Sequence, residues 1–582
     1  MEPHLRVTAR EEETSFADLI DGNSVLSIPL FQRPYRWTPD NFNLLFEDVQ
    51  SIRDEVTNSA FLGVIVSYTR SSGPGRPAVW EIVDGQQRVT TLYLVVLAAV
   101  EIAARSGDVN WAADAIETYL LRRRMAGHPV NTKLVPGYAD RAQFAAIWQR
   151  LSDIPALFEL ESMKYNPPVP PSPGGHVSGE MSRQYAHVLS TLTAVHEEGG
   201  LEALYRLVDI VNGHLSFISI TLKDPTLAPK IFERLNARAK PITVSDLVRN
   251  EIFSRSGDNV AQAQHVFTTS WEPFDSSFKS VKTDLDKFLF PYGLTSNPNV
   301  RKAELFSYLR GKWAPMGSPQ NIIADLNRHK GAFLALEAGI AHPDLSVPVN
   351  NQLRRIHQVG RPSVVYSFVM KLIEGHLAGT VSEKDTVEIL GALESFLFRR
   401  ALMGIEPTGL HAAFKGLWLD LTEKSAGGLS AASFRERLSS KPTVKWPSDD
   451  DFIHAVQNES LYRRKIKGYA LGEQERSLRT ETASDPSVIE HIAPQSPTDH
   501  WRERMGERYD RLVHTWGNLI PLSEAMNPSV GQKPFAQKKD AFALSKFGNA
   551  RHIAAAYEEW GADVIEARNK EIAAWAVKRW PY

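Results

Sequence analysis

The chain has 582 residues, 43% hydrophobic and 23% charged, with a formal net charge of -2. That is the composition of about three globular domains at roughly 100–200 residues each, and not of a cationic nucleic-acid coat, so any DNA contact must come from local basic patches. There is no cysteine, which excludes disulfides, Cys-ligated zinc, thiolate nucleophiles and iron–sulfur clusters.

The first hundred residues read as mixed α/β. Met1-Glu2-Pro3-His4 lacks the basic and then apolar layout of a signal peptide, and a cytoplasmic protein is expected. Ile28 to Trp37 (IPLFQRPYRW) sets Arg33 and Arg36 beside Tyr35 and Trp37. Such groups can stack on bases and bind phosphate. They can equally be core aromatics with solvated arginines between them. Thr38-Pro39 is a helix start, a hydroxyl N-cap followed by a residue that needs no N–H. Phe42, Leu45, Phe46, Val49 and Ile52 follow at helical spacing. Phe61 to Tyr68 and Ala78 to Val83 read as strands around a turn-rich loop.

The second strand runs into Asp84-Gly85-Gln86-Gln87-Arg88 and then a long apolar helix. Gly85 lets the backbone turn, and the helix start offers free N–H groups to an anion. Arg88 can grip a phosphate by two hydrogen bonds. Asp84 can hold a metal or orient water, and Gln86 and Gln87 can position a water or a base edge. The plain alternative is a simple Asp-Gly turn. No Walker A loop is present, so a triphosphate site here would be of another kind. Leu92 to Ala104 is the longest apolar stretch, but it contains Glu101 and falls short of the roughly 18 apolar residues of a membrane span. It reads as a buried helix, and no membrane partner is expected.

From about residue 96 to 440 the pattern is mainly helical, interrupted by a Pro/Gly-rich segment at Asn166 to Gly175 and a strand-like run at Leu215 to Leu222. A polar, turn-rich stretch from Lys441 marks a boundary. The expected division is 1–255, 256–440 and 441–582, the last ending in helices and a short ββα-like stretch.

That last segment holds an acid–histidine pair, Glu490-His491, ending an apolar run. A short strand follows from Gly517-Asn518, and then Asn527 at an expected helix start with Lys533, Lys538 and Lys539 beyond it. Phosphodiester hydrolysis needs a base for water and a divalent metal for charge on the phosphate. His491 can be the base, and Glu490 and Asn527 can be oxygen ligands suited to Mg²⁺ or Mn²⁺. Asn518 can brace the His491 loop, and the lysines can hold flanking phosphates. Taken singly, each residue also has an ordinary structural reading, as a surface pair, a turn or an N-cap.

These runs resemble a known family. FQRPYRW, DGQQRVTTL and the later IFERLNARAKP to SDLVRN (231–250) are similar to the N-terminal domain of GmrSD-type restriction proteins. EHIAPQ, WGNLIPLSEAMN and QKPFAQKK resemble their C-terminal HNH domain. The resemblance implies a ParB/sulfiredoxin-like α/β core, a helical middle region and a ββα-metal (HNH) domain. It implies nucleoside triphosphate (GTP or ATP) bound and hydrolysed at Gln32, Arg33, Asp84, Gly85, Gln86, Gln87 and Arg88. DNA would be contacted by Tyr35, Arg36, Trp37, Lys533, Lys538 and Lys539. It casts His491, Glu490, Asn518 and Asn527 as catalytic residues, with Glu490 and Asn527 on the metal. Many relatives have Asp where Glu490 stands. The expected activity is a modification-dependent DNA endonuclease of phage defence, including the SspE-like group, acting on double-stranded DNA with a modified base or a phosphorothioate backbone. A homodimer would be needed to cut both strands. The alternatives are a non-catalytic NTP-dependent DNA-binding regulator and an RNA-directed toxin nuclease.

Overall fold

A computed structural model describes residues 9–21, 24–29, 32–70, 78–122, 132–158, 177–222, 243–255, 260–360, 363–423, 428–441, 444–478, 488–524 and 531–582. The chain is mixed α/β and largely helical, and it groups into two compact units. One is Met1–Trp271 with Trp313–Gln320, the other Glu272–Lys312 with Asn321–Tyr582.

The first unit holds a six-stranded sheet in the order β1-β6-β3-β4-β2-β5. The strands are β1 (Ala9–Ser15), β2 (Val25–Ser27), β3 (Ala60–Arg70), β4 (Val79–Asp84), β5 (Leu134–Val135) and β6 (Leu215–Leu222). β3 pairs antiparallel with β4 and parallel with β6. At the end of β4 the chain turns through Gly85, at φ 91°, into the helix Gln86–Arg105. A Cβ at Gly85 would meet Ile65 Cγ1 of β3 at 2.9 Å, so the close strand–turn contact adds to the need for glycine there.

The helix Gln86–Arg105 is the centre of this unit's core, with every side chain from Leu92 to Ala104 buried. Among the described residues it is the one helix long and apolar enough to cross a membrane, yet 94% of its apolar window is buried inside the protein. Its one acid, Glu101, takes hydrogen bonds from Arg105, Arg150 and the Tyr185 hydroxyl, which offsets the cost of burying the charge. The helix Pro39–Arg53 turns Phe42, Leu45, Phe46, Val49 and Ile52 inward, as their spacing requires. The strands read at 61–68, 78–83 and 215–222 are present. The segments 166–175 and 231–241 lie outside the described residues.

In the second unit the helices from residue 272 onward group with the C-terminal segment rather than parting from it near 441. The helix Glu383–Leu402 accounts for much of this. Its buried Arg399 donates to the carbonyls of Pro447 and Trp580, Phe398 stacks on Trp580 at 3.8 Å, and Glu394 accepts from Trp580 Nε1 and Arg579. An arginine whose donors all face backbone carbonyls or a carboxylate is a buried fastener, costly to remove. Within this unit β7 (Val488–His491) and β8 (Leu519–Leu522) form an antiparallel pair. The helix Phe535–Ala543 follows, over a core that includes Ile492, Trp501, Ile520, Phe535 and Trp560.

Candidate functional site

The β7–β8 pair sets Glu490 opposite Ile520 and His491 opposite Leu519. β7 ends at His491, and the chain after it is held by Asn518. The fully buried Asn518 amide accepts from Ala493 N (2.8 Å) and Trp560 Nε1 (3.1 Å), and donates to Ala493 O (2.9 Å) and Val513 O (2.7 Å). Its backbone carbonyl takes Ile492 N at 3.0 Å. Every polar atom of that side chain is therefore engaged in fixing the turn that follows the histidine.

Lys538 lies beneath the same turn. Its ammonium is buried and reaches Ile492 O (2.9 Å), His491 O (3.2 Å) and Glu490 Oε1 (3.4 Å). Burial outweighs the pairing for both partners: it pushes the Glu490 carboxyl up and the Lys538 ammonium down, while each charge pulls the other back. The expectation that Lys538 faces DNA phosphate is corrected here, because a wholly buried ammonium bonded to two carbonyls and a carboxylate has no reach to solvent. Lys539 pairs with Glu558 at 2.7 Å, and Lys533 is exposed. Asn527 lies outside the described residues.

His491 is buried and meets a second histidine, with His491 Nε2 3.1 Å from His514 Nδ1. Burial first, then His514, Lys538 and Lys467, push the His491 imidazole down to about 3, so it is neutral at physiological pH. Tyr462 closes one side, edge-on to His491 with centroids 4.3 Å apart. Sequence reasoning misses His514, Tyr462 and the basic run Arg463-Arg464-Lys465-Ile466-Lys467 that follows Tyr462. The signal was present: an aromatic followed by closely spaced cations is a phosphate-binding pattern. Arg463 and Lys465 are exposed, and the Lys467 ammonium lies 4.1 Å from the Tyr462 ring centroid.

Glu490 supplies an oxygen donor of the type a hard divalent cation prefers. Among the described residues no group of three His, Cys, Asp or Glu side chains converges to hold a metal.

The first unit carries the other cluster. Gln32 Nε2 donates to Val83 O (2.8 Å), Gln86 Nε2 to Arg33 O (3.4 Å), and Gln87 Oε1 accepts from Arg36 N (2.7 Å) and Trp37 N (3.3 Å). The loop 32–37 is thereby fastened across the turn at Gly85, and the two separated motifs form one surface. Gln87 is committed to holding that loop. Gln32 Oε1, Arg33 Nε and Gln86 Oε1 are buried without a partner among the described residues. Arg88 donates to Leu62 O at 2.5 Å and passes over Gly63, where a Cβ would stand 2.5 Å from its Nη1. Gly63, at φ 99°, is a position the sequence reading leaves out, and a glycine inside a strand is the usual sign of close approach. Burial pushes the Arg88 guanidinium down and Asp84 draws it back.

The expected base-stacking role of Tyr35 is corrected: the ring is buried, its hydroxyl bonds Thr91 at 2.6 Å, and its N–H goes to Asp140 Oδ2 at 2.8 Å. Trp37 packs partly buried against the same core, and Arg36 alone of the three is exposed. Of the later motif, Asp246 and Arg249 are described, each buried with one polar atom unpartnered among the described residues.

The first unit thus carries a strand–turn–helix start with a fastened loop, and the second an acid–histidine pair at a strand end. Residues 16–253 match the N-terminal domain of GmrSD restriction endonucleases, and residues 446–575 match their C-terminal domain. The chain belongs to the GmrSD-type restriction endonucleases, so it is a nuclease with DNA as its substrate class. No curated protein matches it.

Proposed function

We propose that the chain is a modification-dependent DNA endonuclease of the HNH type, in which a ParB-like nucleotide-handling first unit governs cleavage by the second. The observation that carries this reading is the cluster at the end of β7. There a neutral imidazole, a carboxylate and a fully bonded bracing asparagine are held together, which is the equipment of base-assisted phosphodiester hydrolysis. His491 takes a proton from water as the water oxygen bonds to phosphorus. The bond from phosphorus to the leaving sugar oxygen breaks, and that oxygen leaves with a proton from solvent. Asn518 keeps the imidazole in place. When bound, Mg²⁺ or Mn²⁺ would supply positive charge for the phosphate and the leaving oxygen. Glu490 would hold it, with Asn527 as the second ligand. Arg463 and Lys465 supply exposed cations for flanking phosphates.

For the first unit, the buried polar atoms on Gln32, Arg33 and Gln86 that have no partner among the described residues, beside Arg88 and the start of a helix, support a nucleoside triphosphate as the ligand. Asp84 and Gly85 would complete that site, with Gln87 holding its loop. One such nuclease site cuts one strand, so a monomer nicks and a homodimer breaks both strands.

The test is a plasmid assay with Mg²⁺, with and without GTP or ATP, on unmodified, glucosylated and phosphorothioate DNA. Wild type cuts a modified plasmid, nucleotide changes the rate, and His491→Ala lowers it by about 10²-fold or more. Wild-type cutting by His491→Ala would remove the assignment. Nucleotide hydrolysis without any cutting of DNA would favour a regulator, and cutting of RNA alone a toxin nuclease.

A further inference from the structure

The contact between His491 and His514 decides which end of the catalytic imidazole is free. Their nitrogens, His491 Nε2 and His514 Nδ1, are 3.1 Å apart. A bond between two imidazole nitrogens needs one proton and one lone pair. If His514 donates, Nε2 of His491 accepts and the neutral His491 ring carries its proton on Nδ1. Neither of its nitrogens then has a lone pair to offer water. If His491 donates from Nε2, its lone pair is on Nδ1, which takes no hydrogen bond among the described residues. Only the second arrangement leaves a base.

We infer that His514 is a positioning residue of the nuclease site, accepting from His491 Nε2–H and so holding His491 in the tautomer whose Nδ1 receives the water proton. This rests on the assignment of His491 as the base. Once His491 has taken the proton, the same Nε2–H still donates to the lone pair of His514, so the imidazolium keeps its partner without rearrangement. The geometry needed for this is fixed on several sides. The His514 carbonyl accepts from Tyr462 N at 3.2 Å, and Ser460 and Thr515 are bridge-paired. The His514 ring stacks on Tyr462 at an interplanar angle of 11°, while Tyr462 stands edge-on to His491. A single tyrosine therefore sets both rings. Burial first, and then the exposed Arg463, oppose a proton on His514 and so preserve its lone pair. A second imidazole that orients the base through its far nitrogen plays the part that a carboxylate or carbonyl plays in other histidine sites.

Two variants of the full chain separate this role from plain packing. His514→Leu keeps the branch at Cγ but removes the acceptor, whereas His514→Asn puts an amide oxygen near the place of Nδ1. On the plasmid that wild type cuts, with Mg²⁺, His514→Leu is expected to lower kcat by about 10–100-fold with KM for DNA within about threefold. His514→Asn recovers about tenfold of that loss. Wild-type cutting by His514→Leu, or equal defects in both variants, would overturn the assignment. Should His514→Leu fail to fold, long-range ¹H–¹⁵N correlation on histidine-labelled wild type reads the tautomer directly. His491 protonated on Nε2 upholds the inference, and His491 protonated on Nδ1 sinks it. Unimpaired cutting by His491→Ala would instead bring down the base assignment itself, which makes the two failures distinguishable.

Discussion

The two sites differ in how completely their polar atoms are satisfied. At the end of β7, the side chains of Asn518 and Lys538 are fully hydrogen-bonded, and most of those bonds hold the turn that carries Glu490 and His491. In the first unit, Gln32 Oε1, Arg33 Nε and Gln86 Oε1 are buried and unpartnered among the described residues. A buried polar atom without a partner costs free energy, of order 1–3 kcal/mol. Under the proposed function, a bound nucleotide would offset that cost at these three atoms. The turn at the end of β7 is closed by its own hydrogen bonds, whereas the cluster in the first unit leaves buried polar atoms unpartnered among the described residues.

The largest effect expected from that contrast is at Asn518. Asn518→Ala strips partners from Ala493 N, Ala493 O, Val513 O and Trp560 Nε1 at once. Thermal or denaturant unfolding should show a loss of about 3 kcal/mol or more, and cleavage should fall by roughly 10²-fold. A change under about 1 kcal/mol would mean that these four bonds do not close the turn.

Second is Asp140, whose buried carboxyl is pushed up to about 7 against the pull of the Tyr35 N–H bond. In the unfolded chain it releases its proton near 4. Between those values the folded state binds more protons, so stability falls as pH rises and the loss is complete above about pH 7. His491 works in the opposite sense. Its folded value is depressed, so the corresponding stability is present above the ordinary imidazole range near 6.5 and is lost as pH falls toward about 3. Asp140→Asn keeps an oxygen for Tyr35 N and cannot ionise. It should raise stability at pH 8 by on the order of 2–3 kcal/mol and leave it nearly unchanged at pH 4. Parallel melting curves for wild type and variant from pH 4 to 8 would refute this.

Much of the frame was readable before any coordinates. Helical spacing from Thr38 and the apolar runs at 61–68 and 78–83 specify their elements because each has one buried face. The pairing of FQRPYRW with DGQQR was legible as two motifs, and their contact is made by Gln32, Gln86 and Gln87. What sequence could not give was the direction of each side chain. Tyr35 and Arg36 are neighbours, yet one is buried on Thr91 and the other exposed. Lys538 and Lys539 are neighbours on a helix, so they point about 100° apart, one into the site and one to Glu558. His514 stands 23 residues from His491 in sequence, and only the fold, through the β7–β8 pair and the Ser460–Thr515 bridge, brings the rings together.

Third is Gly63, which tests whether Arg88 is placed by the absence of a side chain. Gly63→Ala puts a Cβ 2.5 Å from Arg88 Nη1 and does so at φ 99°, where alanine is strained. The guanidinium must move off Leu62 O. GTP or ATP affinity, measured by titration calorimetry, should weaken by about tenfold, the value of one lost charge-assisted contact. Unchanged affinity would place Arg88 outside the nucleotide site.

The smallest expected change in stability is the sharpest statement of the contrast. Gln86→Met removes a buried amide whose oxygen has no partner among the described residues and whose nitrogen makes one long bond, 3.4 Å, to Arg33 O. An apolar chain of similar length forfeits little there and relieves an unsatisfied acceptor, so unfolding free energy should change by less than about 1 kcal/mol in either direction. Nucleotide binding should nonetheless drop by about five- to tenfold, since under the proposed function the amide oxygen, unpartnered among the described residues, meets the ligand. At Asn518 the same exchange of amide for hydrocarbon should damage stability and cleavage together. If Gln86→Met destabilised the fold as much as Asn518→Ala while leaving nucleotide binding intact, the open face of the first unit would be an internal joint, and the difference between the two sites would be one of packing rather than of ligand.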